Sequence, residues 1–164
     1  MSDVRLTGGC QCGAVRYALL KQPERPCICH CRMYQKATGN VFAVFAGVEP
    51  EFFVVTRGKA IAFNASDEAA RCFCGQCGTP VYWRQADGSW FSVNIGSLDE
   101  PERVKPNRFY GEEGRVSWTA EIAAQHGDRT GGGNGDYETR IRASNHQHPD
   151  HDTTGWVPHM GGVA

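Results

Sequence analysis

Residues 8–13 read GGCQCG and residues 74–78 read CGQCG, so each stretch holds two thiols in a glycine-rich turn. Zn²⁺ prefers four soft ligands at ~2.3 Å in a tetrahedron, which places neighbouring sulfur atoms ~3.8 Å apart. Short spacers within a tight turn achieve this separation, and glycines let backbone N–H groups approach the sulfur atoms. The two pairs therefore predict one four-thiolate metal site, formed by Cys10, Cys12, Cys74 and Cys77.

Two other interpretations of these cysteines remain open: four buried free thiols, or a redox-active pair at Cys74 and Cys77. A thioredoxin-like C-x-x-C pair normally opens a helix after a strand. Here Gly78, Thr79 and a predicted strand follow Cys77, and this context favours metal over redox chemistry. Cys72 lies two residues before Cys74 and is expected to be a buried strand residue.

The expected compartment of the protein is the cytoplasm. No apolar run approaches the ~20 residues that span a bilayer. Asp3 and Arg5 lie where a signal peptide needs an apolar stretch. In a reducing cytosol, clustered cysteines bind metal more often than they form disulfides, so the eight cysteines of this chain favour a metalloprotein.

Length and charge limit the classes of function. The 164 residues, 40% of them hydrophobic, suit one packed domain with a short appendage. Lys and Arg number 17 and Asp and Glu number 18, which gives a formal net charge of -1. This balance argues against a generally basic nucleic-acid binder and gives no indication of affinity for anionic membranes.

Short aromatic and β-branched runs, separated by glycine, proline or aspartate, indicate an all-β domain over residues 1–126. Strands are predicted over residues 15–19, 41–46, 52–56, 60–63, 80–83, 90–95 and 116–122. Residues 32–38, which Gly39 ends, are long enough for two helical turns at most.

Residues 127–164 differ in composition, because they contain a GGGNG run and most of the histidines but few large apolar side chains. Such a segment buries too little surface to offset the entropy lost on ordering. We therefore predict a flexible tail that can be removed without loss of the fold. If part of it packs on the domain, Trp156 is the expected anchor.

A second group of thiols occupies residues 27–31, which read CICHC. Cys29 and Cys31 form a C-x-C pair, and a third ligand three residues later would complete an open three-thiolate site, but position 34 is Tyr34. Cys27 would need a sharp bend to take part, because an extended chain rises ~3.3 Å per residue. His30 should project away from its cysteine neighbours and is expected to be a hydrogen-bond donor rather than a ligand.

Three motifs in order, GGCQCGAVRY (8–17), CHCRMYQKATG (29–39) and RCFCGQCGTPVYW (71–83), resemble the glutathione-dependent formaldehyde-activating enzyme (GFA) family. That family also includes centromere protein V-like proteins. The resemblance covers roughly residues 4–122 and implies a β-tent fold of antiparallel sheets around zinc. It also implies that Cys10, Cys12, Cys74 and Cys77 hold a structural zinc.

The second zinc of the family uses a C-H-C-x-x-C motif, which corresponds to Cys29, Cys31 and position 34 of this sequence. A zinc with three protein ligands keeps one open position. There a glutathione thiol is held as thiolate and adds to an aldehyde carbonyl, or the S-hydroxymethyl adduct breaks down in reverse. The resemblance therefore implies a zinc-dependent carbon–sulfur lyase that acts on glutathione–aldehyde adducts.

Tyr34 departs from that pattern and leaves three functions open. A phenol has a pKa of ~10 and must lose its proton to bind zinc well, so two cysteines alone should hold the second zinc weakly. The chain is then a lyase with an altered site, or a non-catalytic zinc-stabilised binding module, or a thiol sensor that uses Cys27, Cys29 and Cys31.

Basic residues near the motifs are candidates to contact the carboxylates of glutathione. They are Arg16, Arg32 and Lys36.

Overall fold

The structure, a computed structural model, describes residues 5–128 and 135–159 and consists mainly of β-strands. The strands are β1 (Leu6–Gly9), β2 (Arg16–Leu19), β3 (Glu24–Cys29), β4 (Ala43–Val48), β5 (Phe53–Arg57), β6 (Ile61–Ser66), β7 (Ala69–Phe73), β8 (Pro80–Gln85), β9 (Phe91–Asn94) and β10 (Arg108–Tyr110). The α-helices are α1 (Arg32–Thr38) and α2 (Asp136–Ala143). Short 3-10 turns cover Pro50–Phe52, Ile95–Ser97, Pro101–Arg103, Glu112–Gly114 and Ser117–Ala124.

The strands form two sheets. A three-stranded sheet has the order β1-β2-β5, and a seven-stranded sheet has the order β10-β3-β4-β9-β8-β7-β6. Neighbouring strands pair antiparallel, except that β10 pairs parallel with β3. The mainly β architecture is thus confirmed, with its strands in two sheets.

The main hydrophobic core draws on both sheets. Leu6, Tyr17 and Leu19 come from the smaller sheet, and Val81 and Val93 come from the larger one. The buried thiols at positions 10, 12 and 74 belong to the same cluster. The Tyr17 hydroxyl also lies 2.8 Å from the hydroxyl oxygen of Ser97. The one polar atom of the Tyr17 side chain therefore has a hydrogen-bond partner inside the core.

Six of the seven predicted strands overlap observed strands, and the prediction for residues 116–122 is wrong. That segment forms the 3-10 turn Ser117–Ala124, in which the N–H of Thr119 donates to the carbonyl of Val116 at 3.0 Å. Its backbone groups bond locally instead of to a neighbouring strand. Strands β1, β3, β7 and β10 were not predicted.

Helix α1 coincides with the two predicted turns, and Gly39 ends it with a φ of 65°. Because glycine has no Cβ, this left-handed conformation carries no steric penalty there. Helix α2 lies in the segment predicted to be a tail. Within the described residues, no helix has the length and apolar character needed to cross a membrane.

Candidate metal centre and the adjacent cleft

The four predicted thiols come together. Two of them lie in the turn between β1 and β2 and two in the turn between β7 and β8, and all four sulfur atoms lie within 4.8 Å of one another. The Sγ atoms of Cys10 and Cys12 are 3.6 Å apart, and those of Cys12 and Cys74 are 3.8 Å apart. These separations match the ~3.8 Å edge of a tetrahedral zinc–thiolate site.

Backbone hydrogen bonds shape both turns around the sulfur atoms. In the first turn the N–H of Val15 donates to the Cys10 Sγ at 3.2 Å, and in the second the N–H of Gln76 donates to the Cys74 Sγ at 3.4 Å. Gly78 closes the second turn, where its N–H donates to the Cys74 carbonyl at 2.9 Å. Such N–H donors stabilise the thiolate form that a metal requires.

The thiols differ in acidity. Burial raises the pKa of Cys10 and of Cys12. Burial also acts to raise the pKa of Cys77, but hydrogen bonds from the side chain and backbone of Thr79 outweigh it and lower that pKa to about 6. A bound cation favours thiolate over thiol, so it offsets the burial penalty that the first turn carries.

These residues fit a metal ion. Four soft donors at tetrahedral spacing satisfy Zn²⁺ completely and leave no open position for a substrate. Because the two turns are far apart in the chain, a metal bound here would cross-link β1 and β2 to β7 and β8. Its binding energy would therefore contribute directly to folding.

Part of the predicted tail packs on this centre. Residues 147–156, called the strap here, lie against the first cysteine turn. The N–H of His148 donates to the carbonyl of Gln11 at 2.7 Å, and the indole N–H of Trp156 donates to the carbonyl of Cys12 at 2.8 Å. The His148 and Trp156 rings pack edge to face, with centroids 4.7 Å apart, and His148 is only 4% exposed.

Charged groups attach the strap to the sheet beneath it. Arg16 forms a bidentate pair with Asp99, at 2.7 and 2.5 Å, and also donates to Asp152 at 3.1 Å. Arg57 lies 3.2 Å from the Nε2 atom of His148. Flexibility of the whole segment 127–164 stays a prediction, and residues 129–134 and 160–164 lie outside the described structure. The strap nevertheless has partners that its composition did not indicate.

The second group of cysteines is arranged differently. Cys27 and Cys29 lie on β3, Cys31 precedes α1, and the Tyr34 ring packs against Phe45 at a centroid distance of 4.4 Å. Across residues 5–128 and 135–159, the four-cysteine centre is the one group of three or more metal-ligating side chains with ligand atoms within 4.8 Å. Among these residues, no third donor joins Cys29 and Cys31 in such a group, so a second zinc held by these two thiols stays a prediction.

A cleft of about 630 Å³ opens beside this second group, and we call it the arginine cleft. Its lining combines the three thiols and Tyr34 with basic and aromatic side chains. Among the latter are Arg25, Arg71, Arg108, Trp83, Trp90 and Tyr110. The guanidinium of Arg71 lies 5.0 Å from the centre of the Tyr34 ring, and Arg25 lies over Trp90 at 5.5 Å. Arg25 has a φ of 50°, a left-handed conformation that costs a non-glycine residue free energy.

Burial disfavours the ionised form of two thiols and of the phenol in the cleft. It raises the pKa of Cys29 to about 12 and raises that of Cys27. It also raises the pKa of Tyr34 well above its usual value, although the nearby charge of Arg71 acts in the opposite direction. In the absence of a bound metal, Tyr34 is therefore a neutral hydroxyl at neutral pH.

Several residues singled out from the sequence lie elsewhere. Arg16 is 3% exposed, is paired with Asp99 beside the strap and lies outside the arginine cleft. Arg32 donates to Gln35 at 3.2 Å, and Lys36 lines a separate groove of about 380 Å³. The expectation that His30 donates a hydrogen bond is not met within the described residues, because neither ring nitrogen has a hydrogen-bond partner, although Nε2 lies 4.0 Å from a carboxylate oxygen of Glu112.

Cys72 is buried in β7, as expected. The residues that the sequence did not indicate are the three arginines of the cleft and its tryptophans. Arg25 lies in β3, Arg71 in β7 and Arg108 in β10, and none of these strands was predicted from the sequence. Arg71 and Trp83 lie at the two ends of the motif at residues 71–83, but the local sequence does not mark them as cleft residues, because their proximity to Arg25 and Arg108 depends on the order of the strands in the larger sheet.

Comparison with known proteins gives one family match. The family model described as "Glutathione-dependent formaldehyde-activating enzyme" (GFA) matches residues 5–112. A search of curated proteins found no match. Among solved structures, a crystal structure of a Rhodobacter sphaeroides protein is 22% identical, covers 63% of this chain and 98% of its own, and has a TM-score of 0.49.

Proposed function

Because this chain belongs to the GFA family, we propose that its arginine cleft binds glutathione adducts of aldehydes and that the domain is a carbon–sulfur lyase for them. Zinc in the four-cysteine centre would have a structural role, within a β-tent fold in the cytoplasm. The observation that carries the proposal is that one cleft joins the second cysteine motif to three arginines.

The cleft is suited to a small anionic thiol compound. Glutathione carries two carboxylates, and guanidinium groups bind carboxylates through paired, charge-assisted hydrogen bonds. Arg25 and Arg108 are exposed at the cleft, where they are free to meet such a ligand. The cysteine motif and Tyr34 line the same space, so the sulfur of the ligand would lie near them.

The chemistry available to these residues is proton transfer. When an S-hydroxymethyl adduct breaks down, the hydroxyl loses its proton, the C=O bond forms, and the C–S bond breaks with its electron pair leaving on sulfur. Glu113 lines the cleft and is a carboxylate that can accept the hydroxyl proton. Tyr34 keeps its proton at neutral pH, because burial raises its pKa, so its hydroxyl can donate a hydrogen bond that stabilises the departing thiolate. The proton on Glu113 then passes through water to the released thiolate, so the site is restored.

A second candidate is a binding module without turnover. It is favoured by one specific observation: the second cysteine group does not bring three ligand atoms together, and Tyr34 replaces the third thiol. The cleft would then bind the same class of ligand, and zinc would serve only the fold.

Two measurements on the intact chain separate these outcomes. Calorimetry with S-methylglutathione measures binding, and NMR exchange spectroscopy measures how fast glutathione and formaldehyde interconvert with their adduct. Binding with faster exchange supports the lyase, and binding without faster exchange supports the module. Absence of binding would refute both.

A matched pair of variants tests the role of the arginines. Arg108→Gln removes a cleft charge and should weaken binding roughly tenfold, since hydrogen bonds to charged groups contribute about 1.5–3 kcal/mol. Arg103→Gln makes the same change at an exposed site paired with Glu100, outside the cleft, and should leave affinity unchanged.

A further inference from the structure

A second cavity of about 310 Å³ adjoins the arginine cleft, and we call it the aromatic chamber. Its lining includes the aromatic side chains of Tyr34, Phe45, Phe73, Tyr82 and Trp83, together with Pro80, Ala37 and the buried Cys72. Four of its lining residues also line the arginine cleft: Tyr34, Phe45, Arg71 and Trp83. The two spaces therefore meet at the Tyr34–Arg71 pair.

Two polar side chains of the chamber wall are already engaged within the protein. The Asn94 side chain donates to the carbonyl of Pro80 at 3.2 Å, and the Thr38 hydroxyl donates to the carbonyl of Tyr34 at 2.8 Å. Arg71 is the one charged side chain in the lining, and its guanidinium lies over the Tyr34 ring. Away from the Arg71 guanidinium and the Tyr34 hydroxyl, where it meets the arginine cleft, the chamber thus offers a ligand mainly carbon surface.

A formaldehyde adduct would leave this space unused. It adds one carbon to the sulfur, and that carbon would lie near Cys29 and Tyr34 in the arginine cleft. Apolar cavities of this size favour apolar occupants, because each buried methylene strengthens binding roughly fourfold.

We infer that the ligand is a thiol adduct of an aldehyde with an apolar group the size of a phenyl ring, and that this group occupies the aromatic chamber. The carboxylates of the thiol lie at the arginines and the sulfur lies beside the cysteine motif. This inference rests on the proposed function, and it adds the class of aldehyde.

The test compares S-methylglutathione with S-benzylglutathione by calorimetry. Both ligands present the same carboxylates, so the ratio of their affinities reports the chamber alone. The benzyl compound should bind at least tenfold more tightly. Equal affinities would overturn the chamber assignment and leave the proposed function standing, whereas no binding of either ligand would overturn both.

Ala37 provides a variant that blocks the chamber. It is an exposed residue of α1 that lines the chamber, so Ala37→Phe narrows the space without overpacking the core. This variant should lose the preference for the benzyl compound and keep its affinity for the methyl compound. Ala37→Ser, with a small side chain at the same position, should retain the preference. A preference that survives in Ala37→Phe would refute the location.

A second readout covers the case in which Ala37→Phe does not fold. In the wild-type complex, the benzyl protons should show nuclear Overhauser contacts to the rings of Phe73 and Tyr82, which line the chamber but not the arginine cleft. A bound benzyl compound without these contacts would refute the inference.

Discussion

Replacement of Trp156 by alanine should detach the strap from the cysteine centre and destabilise the whole domain. The indole N–H donates to the carbonyl of Cys12, and a net hydrogen bond of this kind contributes about 1 kcal/mol. The edge-to-face contact with His148 adds about 1 kcal/mol, and the half-buried ring adds about 1 kcal/mol of apolar burial.

Trp156→Ala should therefore lower the free energy of unfolding by about 3 kcal/mol, or the melting temperature by about 6–12 °C for a chain of this length. Trp156→Phe keeps an aromatic ring and loses the hydrogen bond, so about 1 kcal/mol of stability should be lost. Thermal unfolding in zinc-saturated buffer measures both effects. Trp156→Ala should also release zinc faster to a chromophoric chelator, because the Trp156 ring no longer packs against the first cysteine turn.

The control is Trp118→Ala, a change at a tryptophan that is 51% exposed. It should change stability by no more than about 0.5 kcal/mol, as is usual for surface positions. If Trp156→Ala unfolds at the same temperature as Trp118→Ala, the strap contributes nothing. Residues 127–164 would then behave as the dispensable tail that the composition predicts.

Cys74→Ser should lose tightly bound zinc, and its melting temperature should fall sharply. Its control is Cys72→Ser, which lies two residues away and outside the four-thiol group. Elemental analysis should find full zinc content in the Cys72→Ser variant. The wild type should hold about one zinc per chain after mild chelation, and Tyr34→Cys should raise that number toward two. Two chelator-resistant zinc ions per chain in the wild type would show that Tyr34 does not weaken the second site. Asp99→Ala should cost about 3–5 kcal/mol in chemical unfolding, because it leaves the buried guanidinium of Arg16 without its bidentate partner. A loss below about 1 kcal/mol would show that water reaches Arg16 freely.

Local features of the sequence were sufficient for the metal centre and for most strands. The glycine-flanked pairs at Cys10-x-Cys12 and Cys74-x-x-Cys77 define ligand geometry within a few residues, and four thiols complete one tetrahedron. Runs such as residues 80–83 and 90–95 predict strands because β-branched and aromatic side chains favour extended backbone on a half-buried surface. Helix α1 was likewise marked by its terminal glycine, Gly39.

The local sequence did not indicate which distant segments pair with one another. Residues 116–122 have a composition typical of a strand, yet they form a 3-10 turn because a strand requires a neighbour that accepts its hydrogen bonds. The strap shows the same dependence. Its few apolar residues predicted no packing, but apart from the Trp156 ring its contacts are mainly hydrogen bonds and ion pairs, whose partners include Arg16 and Arg57 on the smaller sheet.

The sequence by itself thus determined the local chemistry: which thiols can share a metal, which segments are extended, and that Tyr34 interrupts the second motif. Only the tertiary structure decided what surrounds that motif. Arg25, Arg71 and Arg108 line one cleft although β10 and β3 are separated from β7 by β4, β9 and β8 in the larger sheet. Charges so far apart in sequence act on one ligand only after the strand order has brought them within reach, since electrostatic attraction depends on distance in space.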